Sequence, residues 1–346
     1  MCILRINIKE STMLILGIES SCDETGLALY SEDHGLIAHL VNSQIDLFTE
    51  YGGVIPEIAA RDHSAKIIGI LKQLLKQTDH NLEDINLIAY TAGPGLIGSL
   101  MIGETVAKTI ANVLNIELLP INHLEGHILA PGLEEGGLEP PYLCLLVSGG
   151  HTQIIRCDDY GEYKIIGETI DDACGEAFDK VGKLLNLEYP GGPKVSKLAE
   201  NGDSKRFKFP RAMMKDKNLN FSFSGLKTSV LYALEDLNEE DHADVAASFQ
   251  EAVIDALTTK LMWAVQDTKI HKLVCSGGVA SNKLLRERLK QMAANNNLEV
   301  SYPRMEFCTD NAAMIAYAGF IRKKFKLPTY PTNFARPRWP LGELYD

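Results

Sequence analysis

Three apolar segments of this chain each run directly into a turn of polar or glycine residues, and this repeated pattern restricts the fold more than any other feature. The segments are LILGIESSCDETG at 14–26, LCLLVSGGHT at 143–152 and KLVCSGGVASN at 272–282. Each is typical of a buried strand followed by a turn in which backbone N–H groups approach an anion. One such turn is an ordinary tight turn, but three in one chain indicate a phosphate or nucleotide site.

The same order of elements occurs twice along the chain. Strand-like stretches at 14–18 and 26–30 flank the first turn, and similar stretches at 142–147 and 152–157 flank the second. After each hairpin the sequence continues into segments with helical spacing of apolar residues and into a further buried strand. Two such units predict a duplicated α/β fold with two lobes and a cleft between them, rather than one doubly wound sheet.

The predicted lobes are discontinuous in sequence, because the last helix, NAAMIAYAGFIRKKF, is expected to return to the first lobe. The predicted boundaries are residues 13–122 plus 311–346 for the first lobe and residues 123–310 for the second, with an insertion near 188–225. Gly, Pro, Ser and basic residues are frequent in that insertion, as is typical of functional loops. Residues 1–12 are a candidate N-terminal extension, to which we assign no function.

Composition and charge exclude several classes of protein. No apolar run approaches the roughly 18 to 20 residues needed to cross a bilayer, which favours a globular protein of the cytoplasm. Seven cysteines without a C-x-x-C pair indicate neither a disulfide framework nor a zinc knuckle. A net charge of -12 requires any contact with nucleic acid to be local. The best local candidate is SKRFKFPRAMMKDK at 204–217, where basic residues for phosphate contacts alternate with Phe207 and Phe209, whose rings offer stacking faces for bases. The alternative is a solvated basic loop.

A pair of histidines indicates either a metal site or an ordinary helix surface. His123 and His127 stand four residues apart in INHLEGHILA, so both imidazoles project from one side of a helical turn. A zinc protease needs a glutamate directly after the first histidine, but Leu124 occupies that position. Glu125 lies roughly 180° around the helix from the midpoint between the two histidines, since each residue advances the helix by about 100°. The spacing therefore allows a metal ion and disfavours a metalloprotease.

Carboxylates near the turns are the candidate acid–base groups. Glu19, Asp23 and Glu24 occupy the first turn, where Asp23 and Glu24 are candidates for acid–base chemistry, although acidic hairpin tips are commonly only solvated. Cys22 lies beside them, and because neighbouring carboxylates raise the pKa of a thiol, we interpret it as structural. Asp310 directly precedes the last helix, so it is either a metal ligand or a helix N-cap.

Ten motifs in this order resemble the TsaD family of tRNA threonylcarbamoyladenosine transferases, over nearly the whole chain from Met13 to about residue 340. The motifs are GIESSCDETG, PEIAARDH, AGPGLIGSL, INHLEGH, LVSGGHT, GEAFDKVGKLL, YPGGP, FSFSGLKT, CSGGVASN and CTDNAAM. The resemblance implies an actin/sugar-kinase/Hsp70-like (ribonuclease H-like) fold of two lobes. It also implies transfer of a threonylcarbamoyl group from threonylcarbamoyl-AMP to the exocyclic amine of adenosine 37, beside the anticodon, in tRNAs that read codons beginning with A.

The resemblance further implies roles for particular residues. One divalent metal ion, iron or zinc, would be held by His123, His127 and Asp310, with Asp23 and Glu24 as the candidate catalytic residues. The positions that match the family's donor site are Leu146, Val147, Ser148, Gly149, Gly150, Asp179, Gly192 and Asn282. Asn282 also precedes a helix, where it would act as a cap. Where many relatives have an acidic residue after YPGGP, this chain has Ser196, which leaves one ribose or base contact open.

Partners and one alternative function complete the expectations. The resemblance implies tRNA as substrate, with a paralogous actin-like subunit and a small ATPase of the bacterial TsaB and TsaE types, and the helical face near 57–76 is a candidate for such pairing. An ATP-dependent kinase-like enzyme or a non-catalytic nucleotide switch is the alternative, because the three turns would serve ATP equally well. A metal held by histidines favours acyl transfer, since phosphoryl transfer usually employs Mg²⁺ on oxygen ligands.

Overall fold

The computed structural model describes residues 13–215, 217–330 and 334–344. The candidate extension at 1–12 therefore lies outside the described residues, as do residues 331–333 and 345–346 of the predicted first lobe. Within the described ranges, no helix is both long and apolar enough to cross a membrane. Two five-stranded mixed sheets organise this part of the chain.

The first sheet contains the strands that precede and follow the acidic turn. Its strands are β1 (Leu14–Glu19), β2 (Glu24–Ser31), β3 (Gly35–Ser43), β4 (Leu87–Gly93) and β5 (Glu117–Asn122), in the spatial order β3-β2-β1-β4-β5. β1 pairs antiparallel with β2 and parallel with β4. Every residue of β1 and β4 is buried, as expected for central strands covered on both faces.

The second sheet repeats this arrangement. Its strands are β6 (Tyr142–Val147), β7 (Thr152–Asp159), β8 (Glu162–Glu168), β9 (Lys272–Ser276) and β10 (Glu299–Ser301), in the spatial order β10-β9-β6-β7-β8. β6 corresponds to β1, because it pairs antiparallel with the next strand in sequence and parallel with β9. The predicted duplication of an α/β unit is therefore confirmed. The boundaries assigned to the lobes stay a prediction.

Ten α-helices connect and cover the strands in the described residues. They are α1 (Ile45–Phe48), α2 (Pro56–Thr78), α3 (Ile97–Leu114), α4 (His123–Leu129), α5 (Cys174–Leu184), α6 (Gly191–Ala199), α7 (Ser224–Leu234), α8 (His242–Thr268), α9 (Lys283–Asn296) and α10 (Ala312–Lys324). α2 begins with proline, whose fixed φ suits the first turn. α2, α3, α8 and α9 each end at a residue in the left-handed conformation, whose N–H satisfies a carbonyl of the last turn.

Helix α10 returns to the first sheet and packs against β1, β2 and α4. The sequence permits this close approach because Gly17 has no side chain: a Cβ there would lie 2.4 Å from the carbonyl oxygen of Ala312. Small residues on α10, including Ala313 and Ala316, are fully buried in the same contact. The helix thereby delivers residue 310, which precedes it, to the end of the first sheet.

The basic segment at 204–217 is packed more closely than its composition suggests. Phe209 is buried in the core of the second lobe, so it offers no stacking face. Arg206 pairs with Asp241 and Asp244, and Arg211 pairs with Asp255, so both arginines of the segment are engaged in ion pairs. The proposed stacking of RNA bases on Phe209 is therefore wrong, because the second lobe needs this ring for its core.

Candidate metal and nucleotide site

The loops that follow the central strands of both sheets line one open cleft of about 1800 Å³. From the first sheet come the turn after β1 at 21–24, the loop after β4 at 94–96, and His123 after β5. From the second sheet come the turn after β6 at 148–151 and the loop after β9. In α/β folds, ligands bind outside the carboxyl ends of the strands, so this cleft is the candidate functional site.

Helix α4 places both histidines at one end of this cleft. The side chain of Asn122 caps the helix by accepting hydrogen bonds from the backbone N–H groups of Leu124 (2.9 Å) and Glu125 (3.4 Å). His123 is thus the first residue of the helix, and His127 lies one turn later on the same side. Their rings are nearly perpendicular, with centroids 4.7 Å apart.

Asp310 completes a cluster of three potential ligands. Its Oδ1 lies 3.0 Å from Nε2 of His127 and 3.4 Å from Nε2 of His123. The potential ligand atoms of the three side chains all lie within 4.8 Å of one another. The capping alternative for Asp310 is wrong, because the neighbouring Asn311 caps α10 by accepting a hydrogen bond from the N–H of Met314 at 2.9 Å. The Asp310 carboxylate is therefore available to a ligand.

The donor set of this cluster fits a divalent transition metal. Two imidazole nitrogens and one carboxylate oxygen suit zinc or iron and leave coordination positions for other molecules. Burial opposes ionisation of Asp310, but His123 and His127 hold the pKa of its carboxyl well below the usual value. Burial likewise opposes protonation of His123, yet Asp310 and Glu19 hold its pKa well above the usual value. The cluster therefore attracts positive charge strongly.

Asp23, in the turn between β1 and β2, and Glu24, the first residue of β2, face the same cleft. Burial, followed by the charges of Asp310 and Asp23, raises the pKa of Glu24 well above its usual value. The turn is held in place by His63 of α2, whose Nε2 lies 3.0 Å from the carbonyl oxygen of Cys22. Burial and the neighbouring Asp23 raise the pKa of the Cys22 thiol, which agrees with its interpretation as structural.

The glycine turn after β6 closes on itself and exposes two glycines to the cleft. The N–H of Ser148 donates to the carbonyl oxygen of His151 at 2.8 Å, and the N–H of His151 donates to Oγ of Ser148 at 3.0 Å. The Ser148 N–H predicted to bind phosphate is thus used within the turn. A side chain on Gly149 or Gly150 would meet open space, and among the described residues neither N–H has a hydrogen-bond partner.

Leu146 and Val147 differ from the other predicted donor-site residues, because their side chains are fully buried. They point to opposite faces of β6, as successive residues of a strand do, and belong to two different hydrophobic clusters. Neither side chain lines the cleft. Any part they have in donor binding lies in holding the turn that follows β6.

Asp179, Gly192 and Asn282 all line the cleft, and the structure shows what each side chain or backbone already contacts. Oδ1 of Asp179 accepts hydrogen bonds from the N–H groups of Gly191 (2.8 Å) and Gly192 (3.1 Å). Asn282 caps α9 by accepting from Leu285 at 3.0 Å.

The amide nitrogen of Asn282 has two further partners. Nδ2 donates to Oγ of Ser196 at 2.9 Å and to Oε1 of Gln250 at 2.8 Å. The capping interpretation of Asn282 is therefore confirmed, and it coexists with a position at the wall of the cleft. Ser196, where relatives often have an acid, is part of the same polar group.

Two residues of the site were not among its predicted members. Glu19 lies at the end of β1 and contacts His123; the sequence placed it in the acidic turn but gave it no role of its own. His151 lines the cleft, and burial together with the charges of His123 and His127 lowers its pKa to about 4. The sequence signal for His151 is its position directly after the glycine pair.

The structure also shows why the HLEGH segment is not a protease motif. Glu125 is fully buried and points away from the histidines toward α10. Its Oε1 lies 2.9 Å from Nη1 of Arg322 and 3.1 Å from the hydroxyl of Tyr163. The geometric argument against a metalloprotease is therefore confirmed, because this carboxylate is committed to a buried ion pair.

Comparisons with solved structures identify the fold. Full-length HypF in its phosphate- and nucleotide-bound form aligns with a TM-score of 0.62 at 13% identity, covering 91% of this chain and 47% of HypF. Component A of the (R)-2-hydroxyglutaryl-CoA dehydratase of Acidaminococcus fermentans aligns with a TM-score of 0.52 at 13% identity, covering 88% of this chain and 96% of that protein. Together with the two equivalent sheets, these similarities confirm the predicted actin-like two-lobe fold.

Comparisons of sequence identify the family. Residues 35–317 match the family model TsaD, described as tRNA N6-adenosine threonylcarbamoyltransferase. A curated tRNA N6-adenosine threonylcarbamoyltransferase of Methylobacillus flagellatus is 50% identical over 336 residues, which cover 96% of this chain and 99% of the relative. The chain belongs to the TsaD family of tRNA N6-adenosine threonylcarbamoyltransferases.

Proposed function

We propose that this chain transfers the threonylcarbamoyl group of threonylcarbamoyl-AMP to the exocyclic amine of adenosine 37 in tRNAs that read codons beginning with A. We propose further that the reaction uses a divalent ion held by His123, His127 and Asp310. Threonylcarbamoylation of tRNA follows from the family, and the family does not favour the kinase-like alternative. The observation that carries the proposal is the convergence of the cluster of three ligands with the glycine turn and two carboxylates in one cleft.

The metal site is proposed on the chemistry of its donors. His123 and His127 present Nε2 atoms to the same oxygen of Asp310, so one ion, iron or zinc, can replace these close contacts. A bound divalent ion supplies a Lewis acid for the carbonyl oxygen of the carbamoyl group. The protein's own part is to hold the three ligands on rigid elements, since α4 is capped at Asn122 and α10 at Asn311.

The donor nucleotide is proposed to bind along the second sheet. The N–H groups of Gly149 and Gly150 are suited to the phosphate of the adenylate, because a side chain at either position would meet only open space. Asp179 uses Oδ1 for the turn at 191–192, which leaves Oδ2 to accept hydrogen bonds from ribose hydroxyls. Gly192, Asn282 and Ser196 form the adjoining wall, while Leu146 and Val147 anchor the turn from the core.

Asp23 or Glu24 is proposed as the base for the incoming amine. An adenine amine is a weak nucleophile, so orientation of this group and removal of its proton matter for the rate. In the transfer, the bond from the amine nitrogen to the carbamoyl carbon forms, the bond from that carbon to the phosphate oxygen breaks, and AMP leaves. The proton lost by the amine passes to a carboxylate of the turn. Glu24 suits this role because its side chain faces the cleft that also contains His123 and Asp310.

Partners are part of the proposal. The chain has a net charge of -12, and both arginines of its basic segment are engaged in ion pairs, so additional subunits are expected to help hold tRNA. We propose a paralogous actin-like subunit of the TsaB type and a small ATPase of the TsaE type, acting in the cytoplasm. The outer face of α2, which includes the exposed Ile68, is a candidate surface for the first of these.

The proposal is tested by mass spectrometry of nucleosides from unmodified tRNA that has been incubated with the protein, threonylcarbamoyl-AMP and the partner subunits. Threonylcarbamoyladenosine is expected with the natural chain and is expected to fall at least about 100-fold with Asp310→Asn or with a chelator. Asp158→Asn is the matched control, because Asp158 is exposed and, among the described residues, its ion pair is with Arg156 of the same strand. Product formation that is unchanged by both the chelator and Asp310→Asn would refute the metal-dependent mechanism.

A further inference from the structure

Glu19 is a buried carboxylate at the end of β1 that contacts His123 from the side away from the other ligands. We propose that Glu19 is a positioning residue, which fixes the imidazole of His123 so that Nε2 faces the metal. This inference rests on the proposed metal site. Oε2 of Glu19 lies 3.1 Å from Nδ1 of His123, whereas Nε2 of the same ring lies 3.4 Å from Oδ1 of Asp310. The carboxylates of Glu19 and Asp310 therefore contact opposite nitrogens of the His123 ring.

The carboxylate of Glu19 is itself held rigidly. Its Oε1 accepts a hydrogen bond from the N–H of Ser21, and its Oε2 accepts one from the hydroxyl of Thr91 at the end of β4. The side chain is fully buried, and these donors come from the turn after β1 and from the neighbouring strand β4. Rotation of the carboxylate would break both hydrogen bonds. Its orientation toward His123 is therefore set by the sheet rather than by the histidine.

This contact decides which nitrogen of His123 carries hydrogen. A carboxylate only accepts, so Nδ1 must be the donor, and the lone pair for a metal is then at Nε2. Ser21 Oγ, at 3.3 Å from Nδ1, lies on the same side of the ring. Histidines that bind metals commonly donate their second N–H to a carboxylate, which orients the ring and makes the ligand nitrogen more basic.

The other histidine provides an internal comparison. Nδ1 of His127 is buried and has no hydrogen-bond partner among the described residues. Of the two imidazoles, only His123 is held by a carboxylate from behind, although His127 is as deeply buried. Loss of the carboxylate at Glu19 is therefore expected to weaken binding at His123 specifically.

The test measures metal affinity directly and does not depend on activity. The full chain is freed of metal with a chelator and titrated with Co²⁺, whose visible absorption reports coordination by the protein. Glu19→Gln is expected to weaken Co²⁺ binding by about 10- to 100-fold. Glu104→Gln is the matched control. Glu104 is another buried carboxylate, but its ion pair is with Lys108 of the same helix and not with either histidine. The control is expected to keep the affinity of the natural chain.

Each outcome separates this inference from the proposed metal site. If the natural chain and His127→Ala both fail to bind Co²⁺, the metal site is refuted, and this inference with it. If the natural chain binds and a folded Glu19→Gln variant binds equally well, only the role of Glu19 is refuted. If Glu19→Gln does not fold, ¹⁵N NMR of the zinc-loaded natural chain decides. We expect Nδ1 of His123 to carry hydrogen, and zinc bound at Nδ1 would overturn the inference.

Discussion

The buried ion pair between Glu125 and Arg322 should be essential for the stability of the metal-binding helix. Nη1 of Arg322 on α10 lies 2.9 Å and 3.2 Å from the two carboxylate oxygens of Glu125 on α4. The side chains are only 3% and 0% exposed. The hydroxyls of Tyr163 and Tyr330 also donate to Glu125. We predict that Arg322→Met destabilises the protein strongly, because it leaves a buried carboxylate without its cation.

The magnitude follows from the loss of one partner of a buried pair, which costs about 3–5 kcal/mol. The neighbouring residue offers a matched control. Lys323 pairs with Glu117, but both side chains are 45% exposed, so Lys323→Ala should cost at most about 1 kcal/mol. The double variant Glu125→Leu/Arg322→Met should recover much of the loss, since it removes the buried charge together with its partner.

Urea unfolding followed by tryptophan fluorescence measures these differences. Trp339 is a suitable reporter, because it is buried and its ring contacts that of Tyr330. The second tryptophan, Trp263, is replaced by phenylalanine in every variant, so that the signal comes from Trp339 alone. Two lobes need not unfold together, so the comparison uses the transition that Trp339 reports rather than one global value. The reasoning is refuted if Arg322→Met is destabilised by no more than Lys323→Ala, or if the double variant is less stable than Arg322→Met.

Three further predictions concern a turn, a buried histidine and the proposed base. Gly277→Ala should destabilise the chain in urea unfolding, because φ at this position is +89° and a Cβ would lie 2.4 Å from the carbonyl oxygen of Val147. Gly69→Ala, on the open face of α2, should instead stabilise the chain by up to about 1 kcal/mol. Equal effects of the two substitutions would contradict this prediction. The pKa of His151 is about 4 when folded and 6.5 in its ordinary state, so between these values the unfolded chain binds a proton that the folded chain does not. The free energy of unfolding should therefore fall by up to about 3 kcal/mol as the pH drops from 6.5 to 4, and His151→Gln should remove this part of the slope; an unchanged slope would show that His151 does not contribute it. Glu24→Gln should lower kcat for tRNA modification by about 100- to 10,000-fold with little change in Co²⁺ affinity; full activity would exclude Glu24 as the base.

The repeated strand-and-turn pattern was sufficient to predict the fold, because burial of apolar runs and glycine at turns act locally and leave a clear signal. The duplicated sheets and the return of α10 follow from it. The pairing of β1 with β4, by contrast, joins strands about 70 residues apart and brings Thr91 to Glu19. No local pattern encodes that contact, so the sequence placed Glu19 in the acidic turn but could not predict its contact with His123.

The position of a site residue follows from the sequence where local geometry has one solution, and does not where two groups compete. Helical spacing put His123 and His127 on one side of α4, although it left a metal site and an ordinary helix surface open. Asp310 required the structure, because Asp310 and Asn311 are both suitable caps and only the geometry assigns the cap to Asn311. Ser148 was expected to offer its N–H to phosphate, but the turn uses that group for its own closure. Competition between local hydrogen bonds and ligand binding is not visible in a sequence.

The most direct test of the central claim is to measure metal content and product in the same sample. Chain freed of metal is titrated with zinc or ferrous iron in the presence of threonylcarbamoyl-AMP, tRNA and the partner subunits. Bound metal per chain and threonylcarbamoyladenosine are then determined together by mass spectrometry. Product that rises in proportion to bound metal and saturates at one ion per chain is the predicted result. Full product formation by chain that remains free of metal would contradict it.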